Sequence, residues 1–215
     1  MAIKQEQGKP QEMISTATGV LSLVVGCLIS LSGCQDDQGA VPAPKSGSIK
    51  SEQVKQEERQ EFERCLKAAE SGDAVEQSNL GVLYANGVGV EQDQFKAMEW
   101  YRKAAKQENP IGQYHLGTVY LNGEGVKQDH KQAIEWFRKS AEQGFDAAQF
   151  SIGAMYRNGE GVKQDYKQAM EWFQKAAEQQ YADAQYNIGF MYYKGEGVEQ
   201  DLRQSMEWFR KAADQ

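Results

Sequence analysis

Four tryptophans, Trp100, Trp136, Trp172 and Trp208, stand 36 residues apart. Asp93, Asp129, Asp165 and Asp201 keep the same interval, as do Gly81, Gly117, Gly153 and Gly189, and Tyr84, Tyr120, Tyr156 and Tyr192. A fixed period of about 20–50 residues marks a solenoid, because one such unit cannot bury its apolar face alone and must stack on its neighbours. The units run 74–109, 110–145, 146–181 and 182–215.

Inside a unit the spacing is helical. In the third, Ala148, Ile152 and Tyr156 fall at i, i+4 and i+8 and predict a first helix. Ala169, Trp172, Phe173, Ala176 and Ala177 predict a second, with its apolar residues on one face. Gly153 lies within the first helix, where glycine costs about 1 kcal/mol relative to alanine. Its recurrence in every unit predicts a neighbouring helix too close for a side chain. The chain holds 21 glycines and only 4 prolines, a balance that suits helices if the remaining glycines sit in turns.

The stretch NGEGVKQD occurs letter for letter at 122–129 and 158–165. Two glycines and a lysine are also how many phosphate loops begin. A phosphate loop, however, places its glycines directly before a helix N-terminus, usually after a strand. Here they follow one helix and precede the next by several residues, and Lys127 and Lys163 give way to Glu91 and Glu199 in the outer units. The segment therefore reads as a hinge. Gly159 closes the first helix in a left-handed conformation, Gly161 turns the chain again and Val162 plugs the hairpin into the core. Asp165 caps the second helix, with Gln168 in a capping-box arrangement.

The pattern Ala-x-x-x-Leu/Ile-Gly-x-x-Tyr, Gly-x-Gly-Val-x-x-Asp, Ala-x-x-Trp and Lys-x-Ala resembles the Sel1-like repeat, a relative of the tetratricopeptide repeat. Ser205, Glu76 and Gly112 depart from it where other units carry alanine. The resemblance implies an all-α fold, a right-handed α-solenoid of helix hairpins, and work as a scaffold holding proteins together in membrane-linked assemblies. It also implies that the first helix of each unit lines a concave face. Cysteine-rich relatives described as penicillin-interacting pair two cysteines per repeat; this chain lacks those pairs, so that activity does not carry over.

Ahead of the repeats, an apolar run from Val20 to Leu31 is too short to span a bilayer but suits a signal-peptide core. It ends in Leu31-Ser32-Gly33-Cys34, which resembles the lipobox of bacterial lipoproteins and implies lipidation of Cys34 with cleavage before it. Residues 1–33 are then a signal peptide and 34–51, rich in Gly, Pro and Ser, a flexible tether. Residues 52–73 form an N-terminal capping helix or a partial repeat, with Phe62, Leu66 and Ala69 on one face. The expected location is the cell envelope, facing the periplasm. Gln35 after the lipidated cysteine favours the outer membrane over the inner. Cys65 is left without a disulfide partner and reads as a small helix residue.

A net charge of -7 argues against a nucleic-acid partner. His115 reads as a partly exposed helix residue and His130 as a first-turn residue. Neither has a second ligand at metal spacing, and no serine sits in a nucleophile elbow. No catalytic residue, metal or cofactor is expected. Glu99–Lys103, Glu135–Lys139, Glu171–Lys175 and Glu207–Lys211 read as i, i+4 ion pairs on the second helices.

Candidate binding residues are those on the first helices that vary between units. One column gives Ser78, Tyr114, Phe150 and Tyr186; its aromatics either bind a partner or pad the space between helices. Others contribute Arg157, Phe190, Tyr193 and Lys194, residue types that interfaces favour. Asn86, Asn122 and Asn158 read as helix C-terminal residues. The Trp208/Phe209 end reads either as a contact surface for a second copy or a partner or, on the plainer reading, as an end that shields most of itself and frays. Two functions fit: a lipid-anchored scaffold binding a protein or peptide, or an immunity lipoprotein neutralising a toxic effector, such as a phospholipase, delivered to the periplasm.

Overall fold

The structure, a computed structural model, describes residues 46–215. These form nine helices and no strand among the described residues: α1 (Ser46–Glu70), α2 (Ala74–Asn86), α3 (Gln94–Lys106), α4 (Pro110–Asn122), α5 (His130–Glu142), α6 (Asp146–Asn158), α7 (Tyr166–Glu178), α8 (Ala182–Lys194) and α9 (Leu202–Ala213). The fold is the expected all-α solenoid of helix hairpins. The signal peptide, Cys34 and the first part of the tether lie outside the described residues. The tether's last residues do not: α1 starts at Ser46, ahead of the boundary at 52. Pro42, Pro44 and Gly47 make this stretch read as a linker, but only the prolines break a helix outright. No described helix is long and apolar enough to cross a membrane.

Each hinge is built the same way. Gly87, Gly123, Gly159 and Gly195 end α2, α4, α6 and α8 in the left-handed conformation, at φ between 70° and 76°. Asn86, Asn122 and Asn158 are the last helical residues before them. The chain then returns so that the amide of Asp165 donates to the carbonyl of Tyr156 at 2.9 Å, and the other three units repeat this bond. Asp165 caps α7 by accepting from the amides of Lys167 and Gln168. The reciprocal half of the capping box is missing. The Asp165 amide is already taken by Tyr156, so the Gln168 side chain turns to Glu171 instead.

Gly161 does more than turn the chain. A Cβ there would lie 2.7 Å from the backbone carbonyl carbon of His130, at the start of the previous unit's second helix. Gly197 approaches Tyr166 equally closely, and Gly89 lies against Glu58 of α1. Glu58 is 36 residues before Gln94, so α1 stands where the second helix of a preceding unit would stand. Its Phe62, Cys65 and Ala69 pack into the first core cluster with Leu80 and Tyr84 of α2. Cys65 is 1% exposed, and burial, with a hydrogen bond to the Glu76 carbonyl, pushes its thiol up to about 12.

Two packing layers hold the stack. Within a hairpin, the glycine of the first helix meets an aromatic ring of the second: a Cβ on Gly153 would lie 2.6 Å from Phe173. Tyr101, Phe137 and Phe209 meet Gly81, Gly117 and Gly189 in the same way. The close neighbour expected at Gly153 is thus a single buried side chain. Between hairpins, the second helix of one unit shares a core with the first helix of the next. Ile134 and Phe137 of α5 cluster with Ile152 and Met155 of α6, and Met170 and Phe173 of α7 with Ile188 and Met191 of α8.

A ladder of glutamines ties the two helices of each unit together and reaches the helix before it. Gln107 donates to Gln77 at 2.8 Å, Gln143 to Gln113 at 2.9 Å, Gln179 to Gln149 at 3.0 Å and Gln215 to Gln185 at 3.5 Å. The acceptor residues are buried, and Gln77, Gln149 and Gln185 also donate to carbonyls near the end of the preceding helix. This satisfies polar groups that would otherwise cost about 1–3 kcal/mol each. The expected Glu/Lys pairs do not form. Lys103, Lys139, Lys175 and Lys211 instead lay their ammonium groups 3.4–4.1 Å from the ring centres of Trp100, Trp136, Trp172 and Trp208. A half-exposed indole one turn back offers both a cation-attracting face and apolar surface for the lysine stem, and outcompetes a solvated carboxylate.

His115 is a partly exposed helix residue, as expected, but its ring is crowded by aromatic neighbours. Its ring stacks on Tyr101 of the preceding unit, centroids 4.7 Å apart, and meets Tyr114 edge-on at 5.3 Å. Burial depresses its pKa to about 4.

Two outcomes follow from this packing. Gly153→Ala should lower unfolding free energy by about 1–2 kcal/mol in urea denaturation, because overpacking against the fully buried Phe173 outweighs alanine's better helix propensity. His115 makes the fold acid-sensitive: below its ordinary pKa the unfolded chain takes up a proton that the folded chain refuses. Stability should therefore fall by about 2 kcal/mol between pH 7 and pH 5. The loss should vanish in His115→Asn, since asparagine already holds this place in the first and last units as Asn79 and Asn187; thermal melts of both proteins across that range check it.

Candidate functional site

The variable positions of the first helices separate into two groups. In the first three units the column Ser78, Tyr114, Phe150, Tyr186 is matched, residue by residue, with the position 31 later at the N-cap of the next unit's first helix. Ser78 donates to Asn109 at 3.0 Å; Tyr114 leans on Phe145 with centroids 5.2 Å apart, and Phe150 on Tyr181 at 5.3 Å. Asn109 also caps α4 with its side chain, whereas Phe145 and Tyr181 make no such cap and give their rings to packing. Tyr114 and Phe150 therefore occupy the space between units. Tyr186 rests on Phe209 at 5.1 Å and stays 45% exposed.

The other group converges at one place. Arg157, at the end of α6, crosses to the fourth unit, where its Nε donates to Glu196 at 2.8 Å and an Nη to Asn187 at 3.2 Å. Its guanidinium carbon lies 4.7 Å from the ring centre of Phe190. Phe190 and Tyr193 are 6.3 Å apart, and the Lys194 ammonium stands 5.7 Å from the first ring and 5.5 Å from the second. Four of the residues singled out in the sequence thus form one patch on α6 and α8. Phe190 is half-buried, Tyr193 is 48% exposed and Lys194 is exposed.

The patch is preorganised rather than loose. Arg157 is held by a carboxylate, an amide and a ring, and its side chain is only 24% exposed. Its charge is matched by Glu196, so Lys194 is the cation that points outward with the two rings. Such a surface can take an extended backbone or an apolar side chain between the rings and steer an acceptor onto the ammonium. Sequence reasoning did not foresee Asn187 and Glu196, which hold Arg157; the only signal was that Asn187 is polar on an otherwise aromatic turn.

Nothing in the patch is arranged for catalysis. No cluster of His, Cys, Asp and Glu among the described residues could hold a metal ion. His130 sits beside the Asp129 cap, pressed by Gly161, with Nδ1 buried and unpartnered.

The model of the family described as Sel1 repeat matches residues 77–109, 110–145, 146–181 and 182–215. No curated protein is significantly similar to the chain. Among solved structures, the chain is similar to c5321 of uropathogenic Escherichia coli, a protective antigen with an SLR fold, at 42% identity and a TM-score of 0.68; the match covers 71% of this chain and 33% of that one. A Sel1 repeat protein from Oxalobacter formigenes matches at 33% identity and a TM-score of 0.69, over 73% of this chain and 62% of that one. The immunity protein Pa5087 from Pseudomonas aeruginosa matches at 28% identity and a TM-score of 0.52, covering 70% and 56% of the two chains. The chain thus spans a third of the first of these proteins and less than two thirds of the second. Sel1 repeats generally mediate protein–protein interaction and are typically non-catalytic. With its hinge glycines, ring-on-glycine hairpins and four matched units, the chain belongs to the Sel1 repeat family.

Proposed function

We propose that this protein is a binding scaffold that takes up a protein or peptide on the α6/α8 patch, while lipid on Cys34 holds it at the periplasmic side of a membrane. The observation that carries the reading is the convergence of Phe190, Tyr193, Arg157 and Lys194, all at positions where the repeat does not need them. The interior units use the corresponding places for Thr118, Ala154, Leu121 and asparagines. A fold that keeps its framework constant and spends its variation on one aromatic and cationic turn has the makings of a specific interface.

A second reading is favoured by one comparison: the similarity to a structure named as an immunity protein of Pseudomonas aeruginosa. On that reading the partner is a toxic effector that reaches the periplasm from outside. The two readings differ in when the partner is present, not in the chemistry of the patch.

The test is affinity capture of the lipidated protein from its own membranes, beside the double variant Phe190→Ala/Tyr193→Ala. Arg157 is left intact because it also ties α6 to the fourth unit. The scaffold reading expects a partner from unchallenged cells, and the immunity reading a partner only when an effector is supplied. In both, the double variant should stay helical yet bind more weakly by about 2 kcal/mol, roughly 30-fold. Equal binding by both proteins would place the interface elsewhere.

A further inference from the structure

The outer face of α9 is unlike the same face of any other second helix. Leu202, Met206, Phe209 and Ala213 fall at i, i+4, i+7 and i+11 and form one apolar stripe. In the earlier units the residues in Met206's place, Met98, Ile134 and Met170, are 7%, 4% and 5% exposed, because the first helix of the following unit covers them. Met206 is 73% exposed and Leu202 57%. Tyr186, lying over Phe209, widens the apolar area. Nothing among the described residues covers this face.

A row of charges borders the stripe. Arg203, Glu207, Arg210 and Asp214 are also spaced i, i+4, i+7 and i+11, and their signs alternate along the helix. They pair only within α9, Arg203 with Glu207 at 3.4 Å and Arg210 with Asp214 at 4.0 Å, as exposed contacts. That the row edges the covered face is clear from Arg102 and Arg138. They hold Arg210's place in earlier units and reach Tyr120 and Tyr156 of the following unit at 3.5 and 2.8 Å.

We infer that this face is a self-association surface, on which a second copy of the chain packs with its α9 antiparallel, about a two-fold axis beside Trp208. Reversing the helix turns the charge order plus-minus-plus-minus into minus-plus-minus-plus. Arg203 then faces Asp214 of the copy and Glu207 faces its Arg210, each contact made twice. Met206 meets Phe209 and Leu202 meets Ala213 in a register two residues away, so one axis level with residue 208 serves the apolar and charged rows to within a residue of each. A parallel two-fold copy would set this row against the far edge of the partner's stripe and lose all four pairs. Because the same face of each copy makes every contact, the association is closed and two-fold, not a head-to-tail filament.

The test uses the full-length chain in detergent, prepared with two different tags, with co-purification of the tags and sedimentation mass as readouts. The parent should be a dimer, weakened by salt. Arg203→Glu and Asp214→Arg should each weaken dimerisation about tenfold or more, since each sets like charges against one another twice across the axis. Mixed together, the two variants should pair with each other as tightly as the parent pairs with itself, and one chain carrying both changes should recover full self-association. Met206→Glu, exposed and harmless to the hairpin, should leave a helical monomer. A monomeric parent overturns the inference and gives the face to a different occupant. Charge variants that associate like the parent, or a mixture that fails to recover, overturn it too.

Discussion

The structure depends on one contact repeated four times: an aromatic ring of the second helix lying on the bare backbone of a glycine in the first. A methyl group at any of these glycines would overlap the ring. The contact sets how near the two helices of a hairpin approach, and with it the angle at which each hairpin meets the next. Only identical hairpins can share cores, align a glutamine ladder and seat each hinge glycine on the helix behind it. A helix-weakening residue is kept in the middle of four helices because the spacing of the whole stack is read from it.

With the framework fixed by repetition, specificity has to come from positions the framework leaves free. The column beginning at Ser78 looks free in a sequence but is not, since in the first three units each member answers to the residue 31 places later: serine to asparagine, tyrosine to phenylalanine, phenylalanine to tyrosine. The turn holding Phe190, Tyr193 and Lys194 has no such partner. Its one tie is Arg157, whose bonds to Glu196 and Asn187 lock the third unit to the fourth. The patch thus sits on the boundary between two units, and any change in their relative orientation would be felt there first.

The helices, the hinges, the aspartate caps and the crowding at Gly153 were legible in the sequence because each has a local rule: an apolar period, a left-handed glycine, an N-cap three residues ahead of its amide. What was not legible involved competition or long offsets. Gln168 and its counterparts match the capping box, but the backbone bond from Tyr156 had already taken the amide. Glu171 and Lys175 match the i, i+4 rule, but a tryptophan at i+1 offered the lysine a better seat. The glutamine ladder repeats as faithfully as the tryptophans. It went unread because its two members lie 30 residues apart in a glutamine-rich sequence, and polar periodicity does not announce burial. Of the binding patch, the rings and cations could be found by comparing units, while Glu196 could not, because its counterparts Glu124 and Glu160 accept from the asparagines of their own hinges.

The place of α1 carries a last consequence. Among the described residues it stands in the place of a second helix ahead of the first hairpin, so the sharing of cores does not stop where the written units do. The sequence counts hairpins that begin at Ala74, Pro110, Asp146 and Ala182. The buried cores group the helices differently: one joins α1 through α4, one α5 to α6 and one α7 to α8. Duplication of a 36-residue stretch adds one complete unit wherever the stretch begins. The solenoid can thus gain or lose whole units in evolution while the contacts between neighbouring helices stay as they are.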